Sequence, residues 1–180
     1  QAIPVFIEIM QKYPDLSKLA NCKLPTLKRI IRPIGLINRA NTIKRVFQQI
    51  KQKYMGIVPD NYDYLIQIPG IGRYIANALL CFAFNQPVAI VDGNVIRIFR
   101  RFFLLTPLKK NLEFDDAIWS LAKDLLPEKN YQTYNYGLLD LGINICRPKL
   151  PKCPECPLNL YCTHYTGQAP PPYIDDSDLE

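Results

Sequence analysis

The spacing of apolar residues along this chain predicts a protein built from helices. In the first segment apolar side chains recur three and four residues apart until Pro14 ends the run: Ile3, Phe6, Ile7, Met10 and Tyr13. The clearest pattern covers residues 38–54, where one apolar stripe faces a basic remainder. Further helices are predicted at residues 15–20, 26–31, 62–67, 74–84, 95–103, 115–126 and 131–145. The apolar run 88–91 is too short and isolated for a sheet, so we expect a buried extended connection there and an all-α fold.

A proline and two glycines separate two of the predicted helices. Residues 68–72 read Ile-Pro-Gly-Ile-Gly. Glycine adopts backbone angles that other residues avoid and allows close approach of the main chain to a ligand. The helix that follows directs unpaired N–H groups outward, which suits a phosphate. Because Gly-x-Gly also closes ordinary turns, this segment alone is only a moderate indication of a ligand site.

A second polar segment, Val-Asp-Gly-Asn-Val, lies twenty residues beyond Gly72. Its aspartate, Asp92, precedes a predicted helix, where most aspartates serve only as the N-cap.

Four of the six cysteines fall within 17 residues and define a third motif: Cys146, Cys153, Cys156 and Cys162. Such crowding favours metal binding in a reducing compartment over disulfides. By ligand chemistry, four thiolates suit tetrahedral zinc and a cubane iron–sulfur cluster about equally. Cys22 and Cys81 lie in apolar helical surroundings and are predicted to be buried thiols.

The charge distribution favours a polyanionic partner. The net charge is +6, but four acids lie in residues 175–180, so residues 1–166 carry +10. The alternative is a soluble basic protein without such a partner. No uncharged apolar run reaches about eighteen residues and no basic leader opens the chain, so we expect an intracellular protein of the cytoplasm or nucleoid, with no membrane partner. Residues 166–180, proline-rich and acidic, are expected to be disordered.

In this order, the three motifs resemble the helix-hairpin-helix (HhH-GPD) DNA glycosylases of the endonuclease III and MutY superfamily, iron–sulfur branch. The resemblance runs from Gln1 to Cys162. It implies two helical lobes with a DNA groove between them: a helical barrel of residues 1–103 and an iron–sulfur cluster domain of residues 104–165. It also implies one more helix upstream of the first residue.

The resemblance assigns catalytic roles to three residues. Asp92 stabilises the positive charge that develops on the sugar as the N-glycosidic bond breaks, and Asn94 supports it. Tyr74 occupies the position of a Schiff-base lysine in bifunctional relatives, and a phenol cannot condense with an opened sugar. We therefore expect a monofunctional glycosylase; the alternative for Tyr74 is a half-buried core aromatic.

The DNA contacts implied by the resemblance fall in three places. They are the hairpin with the residue after it, Pro69, Gly70, Ile71, Gly72 and Arg73; an apolar wedge, Leu36; and the basic loop of residues 147–152, with Arg147, Lys149 and Lys152. An ordinary core residue is an equally good interpretation of Leu36. The Cys-x6-Cys-x2-Cys-x5-Cys spacing matches the family's cluster loop and, within the resemblance, favours a structural [4Fe–4S] cluster over zinc.

The expected function is hydrolytic removal of a mispaired base by a monomer acting on double-stranded DNA with a mispaired or damaged base. Thymine or uracil opposite guanine is the first candidate. The alternatives are adenine opposite guanine or oxidised guanine, and a non-catalytic hairpin module that binds DNA structure only.

Overall fold

The computed structural model describes residues 2–105 and 115–168, and every regular element in those ranges is helical. Ten α-helices are described: α1 Ala2–Lys12, α2 Leu16–Ala20, α3 Leu24–Ile31, α4 Ala40–Lys53, α5 Tyr62–Ile66, α6 Arg73–Phe82, α7 Gly93–Phe103, α8 Asp116–Asp124, α9 Tyr131–Asn144 and α10 Thr163–Thr166. Short 3-10 turns are formed by Arg32–Ile34, Ile37–Arg39, Cys153–Glu155 and Asn159–Tyr161. The prediction of an all-α fold is confirmed. From residue 169 onward, the predicted disordered tail lies outside the described residues.

Polar side chains fix the starts of several helices. Asp15 accepts the Lys18 N–H at 2.7 Å at the start of α2, and Asp115 caps α8. Asn61 accepts the N–H groups of Asp63 and Tyr64, and so sets α5 directly before the hairpin. None of the described helices combines the length and apolar character needed to cross a bilayer.

The contacts divide the chain into two compact units, Gln1–Leu80 and Cys81–Glu180, and the division falls inside α6. In the first unit α4 packs against α2 and α3. The apolar core of this unit comes from α1 to α4 and the turns between them: Val5, Leu19, Cys22, Leu27, Ile30, Ile31 and Ala40. Half-buried Leu36 packs against this core. The domain boundary expected near residue 103 stays a prediction.

In the second unit α7 and α9 pack together, and α10 lies against α7. Its apolar core draws on the connection 88–91, α7 and α8: Ala89, Val91, Val95, Ile96, Ile98, Phe99, Ile118, Trp119 and Ala122. The connection has no regular secondary structure, and residues 89–91 are buried, as predicted. It delivers Asp92 to the start of α7.

Candidate active site

The hairpin between α5 and α6 exposes backbone while anchoring itself by two isoleucines. Ile68 and Ile71 are buried, whereas Pro69, Gly70 and Gly72 are exposed. Gly70 has φ of +106°, and a Cβ there would collide with the side chain of Thr42 on α4. Glycine is therefore required both by the backbone angle and by the approach to α4. Since the Ile71 side chain faces the core, this residue can offer a ligand only its main chain.

Tyr74 lies in the first turn of α6, with 42% of its surface exposed. This exposure is greater than that of a core aromatic. Arg73 beside it is half-buried. The hairpin, Tyr74 and Leu36 all belong to the first unit, whereas Asp92, Asn94 and the four clustered cysteines belong to the second.

The carboxylate of Asp92 is held by three N–H donors. Its Oδ1 accepts the backbone N–H of Asn94 at 2.8 Å and of Val95 at 2.9 Å, which is N-cap geometry for α7. Its Oδ2 accepts the side-chain Nδ2 of Asn94 at 2.7 Å. Asp92 is only half-buried. Both oxygens are thus fixed in position while the group stays reachable from outside.

Asn94 is itself held in place by Arg97, one turn further along α7. Arg97 Nη2 donates to Asn94 Oδ1 at 2.8 Å and to the carbonyl of Gly142 at 2.8 Å, and its Nε donates to the carbonyl of Cys146 at 2.7 Å. The side-chain amide of Asn94 therefore has one orientation, with Nδ2 toward Asp92 and Oδ1 toward the guanidinium. The sequence analysis did not predict this contact of Arg97 with Asn94; an arginine on the helix that Asp92 caps was the signal available for it.

Two residues of α9 that the sequence analysis also missed bring these groups together. A Cβ at Gly142 would lie 2.5 Å from the Asn94 Cβ, so glycine permits the close approach of α9 to α7. Asn135 is 1% exposed, and its side chain accepts the Ile90 N–H at 3.2 Å and donates to the Val88 carbonyl at 3.0 Å. Asn135 thereby satisfies the backbone of the connection that leads to Asp92. An asparagine and a glycine in the interior of a predicted helix were the available signals.

The structure brings the four cysteines of the third motif together around one small cavity, and we call them the thiol set: Cys146, Cys153, Cys156 and Cys162. Arg101, Asn159 and His164 also line this cavity. Burial raises the pKa of the Cys156 thiol, and repulsion from the other three thiolates raises this pKa further. Within residues 2–105 and 115–168, no three His, Cys, Asp or Glu side chains are arranged to hold a metal ion. A single metal ion would need its sulfur ligands at about 2.3 Å from one point, which is a tighter arrangement than lining a common cavity.

The basic loop leaves the thiol set at Cys146 and is less uniformly exposed than its sequence suggests. Lys149 is exposed, but Lys152 forms an ion pair with Glu155 at 3.0 Å. Arg147 donates from Nη2 to the Leu150 carbonyl at 3.1 Å and is half-buried. Of the three cations in the basic loop, Lys149 is therefore the most exposed.

The first unit contains the glycine hairpin, and the second contains the helix-capping carboxylate and the thiol set. These are the three motifs on which the sequence resembles a family of helical DNA repair proteins. Residues 1–124 match the family model described as HhH-GPD superfamily base excision DNA repair protein. The chain belongs to this family.

Relatives with established names are DNA glycosylases of two kinds. The chain is 37% identical over 161 residues to an adenine DNA glycosylase of Buchnera aphidicola, covering 89% of this chain and 46% of that protein. It is 34% identical over 170 residues to a thymine-DNA glycosylase of Aeropyrum pernix, covering 93% of this chain and 76% of that protein. The chain thus spans about half of the first relative and about three quarters of the second.

Among solved structures, endonuclease III trapped in a covalent intermediate with DNA matches with a TM-score of 0.78. The sequence identity is 28%, and the match covers 91% of this chain and 75% of that chain.

Proposed function

We propose that this chain is a monofunctional DNA glycosylase of base excision repair that removes thymine or uracil mispaired with guanine. Membership of the family and two groups of glycosylase relatives support the general activity. The 34% identity over 170 residues to a thymine-DNA glycosylase supports the choice of base.

The fixed carboxylate of Asp92 is the observation that carries the proposal. Departure of a base leaves positive charge on the sugar, and a preorganised anion stabilises that charge without having to reorient. The bonds from Asn94 and Val95 supply this preorganisation at 2.7–2.9 Å. A plain helix cap needs only one carboxylate oxygen, whereas here the second oxygen is also held by a side chain whose own position is fixed by Arg97.

Tyr74 supports the monofunctional assignment. Strand cleavage through an imine needs an amine that attacks C1′ of the sugar, and a phenol has none. With the phenol at this position, the product is an abasic site in an otherwise intact strand.

Binding to duplex DNA is proposed for the exposed surface elements of both units. The hairpin backbone and Arg73 accommodate one stretch of phosphates, Lys149 contacts another, and Leu36 enters the stack beside the extruded base. Half-burial of Leu36 against the core means that such a wedge would use only the outer part of the side chain. The protein acts as a monomer in this scheme.

A [4Fe–4S] cluster held by the thiol set completes the proposal. The donor set fits, because four soft thiols line one cavity and a cubane spreads its four ligands over four irons. Two buried polar atoms without a partner, Arg147 Nε and Thr163 Oγ1, belong to residues that directly follow Cys146 and Cys162. When bound, the cluster would supply a structural cross-link. Cys146 and Cys153 would fix the two ends of the basic loop.

Adenine opposite guanine or oxidised guanine is the second candidate, favoured by the 37% identity to an adenine DNA glycosylase.

A set of 5′-labelled duplexes that differ only in the central pair tests the proposal. The pairs are G·T, G·U, G·A, 8-oxoguanine·A and G·C. We expect strand breaks at G·T and G·U, and only after alkali treatment. Faster release of adenine would favour the second candidate, whereas binding without release of any base would leave a non-catalytic DNA-binding module.

A further inference from the structure

Arg101, in the last turn of α7, touches the thiol set through both its side chain and its backbone. Its Nη1 donates to the Cys146 Sγ at 3.4 Å. Its own carbonyl oxygen lies 3.8 Å from the Cys162 Sγ. One residue therefore contacts two of the four thiols, and it also lines their cavity.

The same guanidinium holds the beginning of the basic loop. Nη1 donates to the Arg147 carbonyl at 2.8 Å, and Nη2 donates to the Pro148 carbonyl at 3.1 Å. These two carbonyls and the Cys146 sulfur surround the planar donor set of arginine. A lysine ammonium has a single point of charge and cannot span the same three acceptors.

The neighbouring residue shows that a general preference for cations at a helix end does not explain these contacts. A cation in the last turn of a helix is favoured by the helix dipole whatever it touches. Arg100 lies in the same turn and has this benefit, but it is exposed and does not line the cavity of the thiol set. What distinguishes Arg101 is its hydrogen bonds to the sulfur and to the loop.

We propose that Arg101 is a positioning residue that fixes Cys146 and the basic loop to α7 and tunes the iron–sulfur cluster held by the thiol set. The proposal rests on the cluster assigned under the proposed function. An N–H donor with a full positive charge stabilises negative charge on the sulfur, and hydrogen bonds to cluster sulfurs are among the factors that set reduction potential. Because reduction makes the cluster more negative, Arg101 stabilises the reduced form more than the oxidised form and raises the potential.

The test compares R101Q and R101K with R100Q, which removes the same charge from the same helix turn. Each purified protein is analysed for iron and acid-labile sulfide, for the decay of visible absorbance in the presence of a chelator, and for midpoint potential. Hydrogen exchange of residues 147–152 reports the loop, and circular dichroism confirms folding. For R101Q we expect decay on the order of tenfold faster, as is typical when an outer-shell partner of a metal site is removed. We also expect a more negative potential and faster exchange in the loop.

R101K should keep the charge but lose the bridging, so its loop should exchange as fast as in R101Q. R100Q should match the wild type in cluster decay, midpoint potential and loop exchange. If R101Q matches R100Q in cluster decay and loop exchange, the role of Arg101 is overturned while the cluster stands. A wild-type protein that contains no iron overturns the cluster itself.

Discussion

At the scale of single residues, the proposed chemistry depends on how one carboxylate is held. Asp92 must cap α7, and this duty alone would fix one of its oxygens. The second oxygen is fixed by Asn94, whose orientation depends on Arg97. Substitutions that keep the cap but change the charge can therefore separate structure from catalysis.

Replacing Asp92 by Asn should leave folding almost unchanged and slow base release by about 10²–10³-fold, since one preorganised electrostatic stabiliser is lost. The Oδ1 of the new asparagine can still accept from the N–H groups of Asn94 and Val95. Its Nδ2 takes the place of Oδ2 and faces the Nδ2 of Asn94, so that two donors meet. Single-turnover base release on the best mispair and thermal unfolding measure the two effects. Asp15→Asn makes the same change at the cap of α2 and should keep the wild-type rate. An unchanged rate in Asp92→Asn would reduce Asp92 to a cap.

Replacing Tyr74 by Lys should introduce imine chemistry, because an exposed position in the first turn of α6 then carries an amine. We expect borohydride to trap a covalent protein–DNA adduct with Tyr74→Lys. Wild-type protein should give abasic sites that break only on alkali or heat. Efficient trapping by the wild type would contradict the monofunctional assignment. Tyr64→Lys, on α5, is the control for a new exposed lysine, since Tyr64 is 55% exposed.

At the scale of elements, α9 positions the site although it contributes no reacting group. Its Asn135 binds the connection 88–91, and its Gly142 allows contact with Asn94. The helix thus contacts the connection 88–91 at one point and α7 at a second point two turns further along.

Gly142→Ala should destabilise the protein by about 1–3 kcal/mol, the usual cost of forcing extra volume into a packed contact. It should also slow base release, because the added methyl group pushes against Asn94. Gly137 lies in the same helix, and a Cβ there meets nothing within 4 Å. Gly137→Ala should stabilise the helix by about 0.5–1 kcal/mol. Urea unfolding of both variants tests this, and equal effects would exclude the proposed contact.

The basic loop gives a prediction about salt. Lys149→Ala should weaken binding to all DNA sequences alike and reduce the slope of log K against log salt by about one, the value for one lost phosphate contact. Lys152→Ala should change the slope less, because Lys152 is already paired with Glu155. Binding isotherms at four salt concentrations measure the slopes. An unchanged slope in Lys149→Ala places the DNA elsewhere.

How far the sequence predicts these elements depends on how local their determinants are. The helices, the cap at Asp92 and the buried connection follow from spacing and from residue type, both of which act within a few positions. The contacts of Asn135 and Gly142 span 45 residues or more, and no local pattern contains them. The pairing of Lys152 with Glu155 is local in the sequence. Spacing alone does not tell whether such a lysine faces solvent, binds a phosphate or pairs with a neighbouring acid.

At the scale of the whole molecule, each unit contains thiol and phenol groups whose pKa values are raised by burial. The pKa values of Tyr13 and Cys22 in the first unit are raised, with burial as the largest cause. Those of Cys81 and Tyr134 in the second unit are raised for the same reason. All four groups bind their protons more tightly in the folded state than in the unfolded state.

Stability should therefore fall at alkaline pH. A raised folded pKa contributes stability that is complete below the unfolded pKa, about 8.5 for a thiol, and is lost as the pH rises past it. We expect the thermal midpoint to fall between about pH 8 and 10. In the double variant Cys22→Ala and Cys81→Ala the fall should be smaller over the thiol range. A thermal midpoint that rises across this pH range would contradict the conclusion that folding raises these pKa values.

The anchoring of the connection 88–91 by Asn135 has a consequence for the order of events during synthesis. A ribosome releases Asp92 well before α9, so the nascent chain carries the carboxylate while the backbone before it still lacks the side chain that binds Ile90 and Val88. Cys146, whose carbonyl accepts from Arg97, emerges later still. A chain that stalls before residue 131 would carry Asp92 without the hydrogen bonds that Asn135 makes to the backbone before it. The described geometry around Asp92 can therefore form only after the chain has been made as far as Cys146.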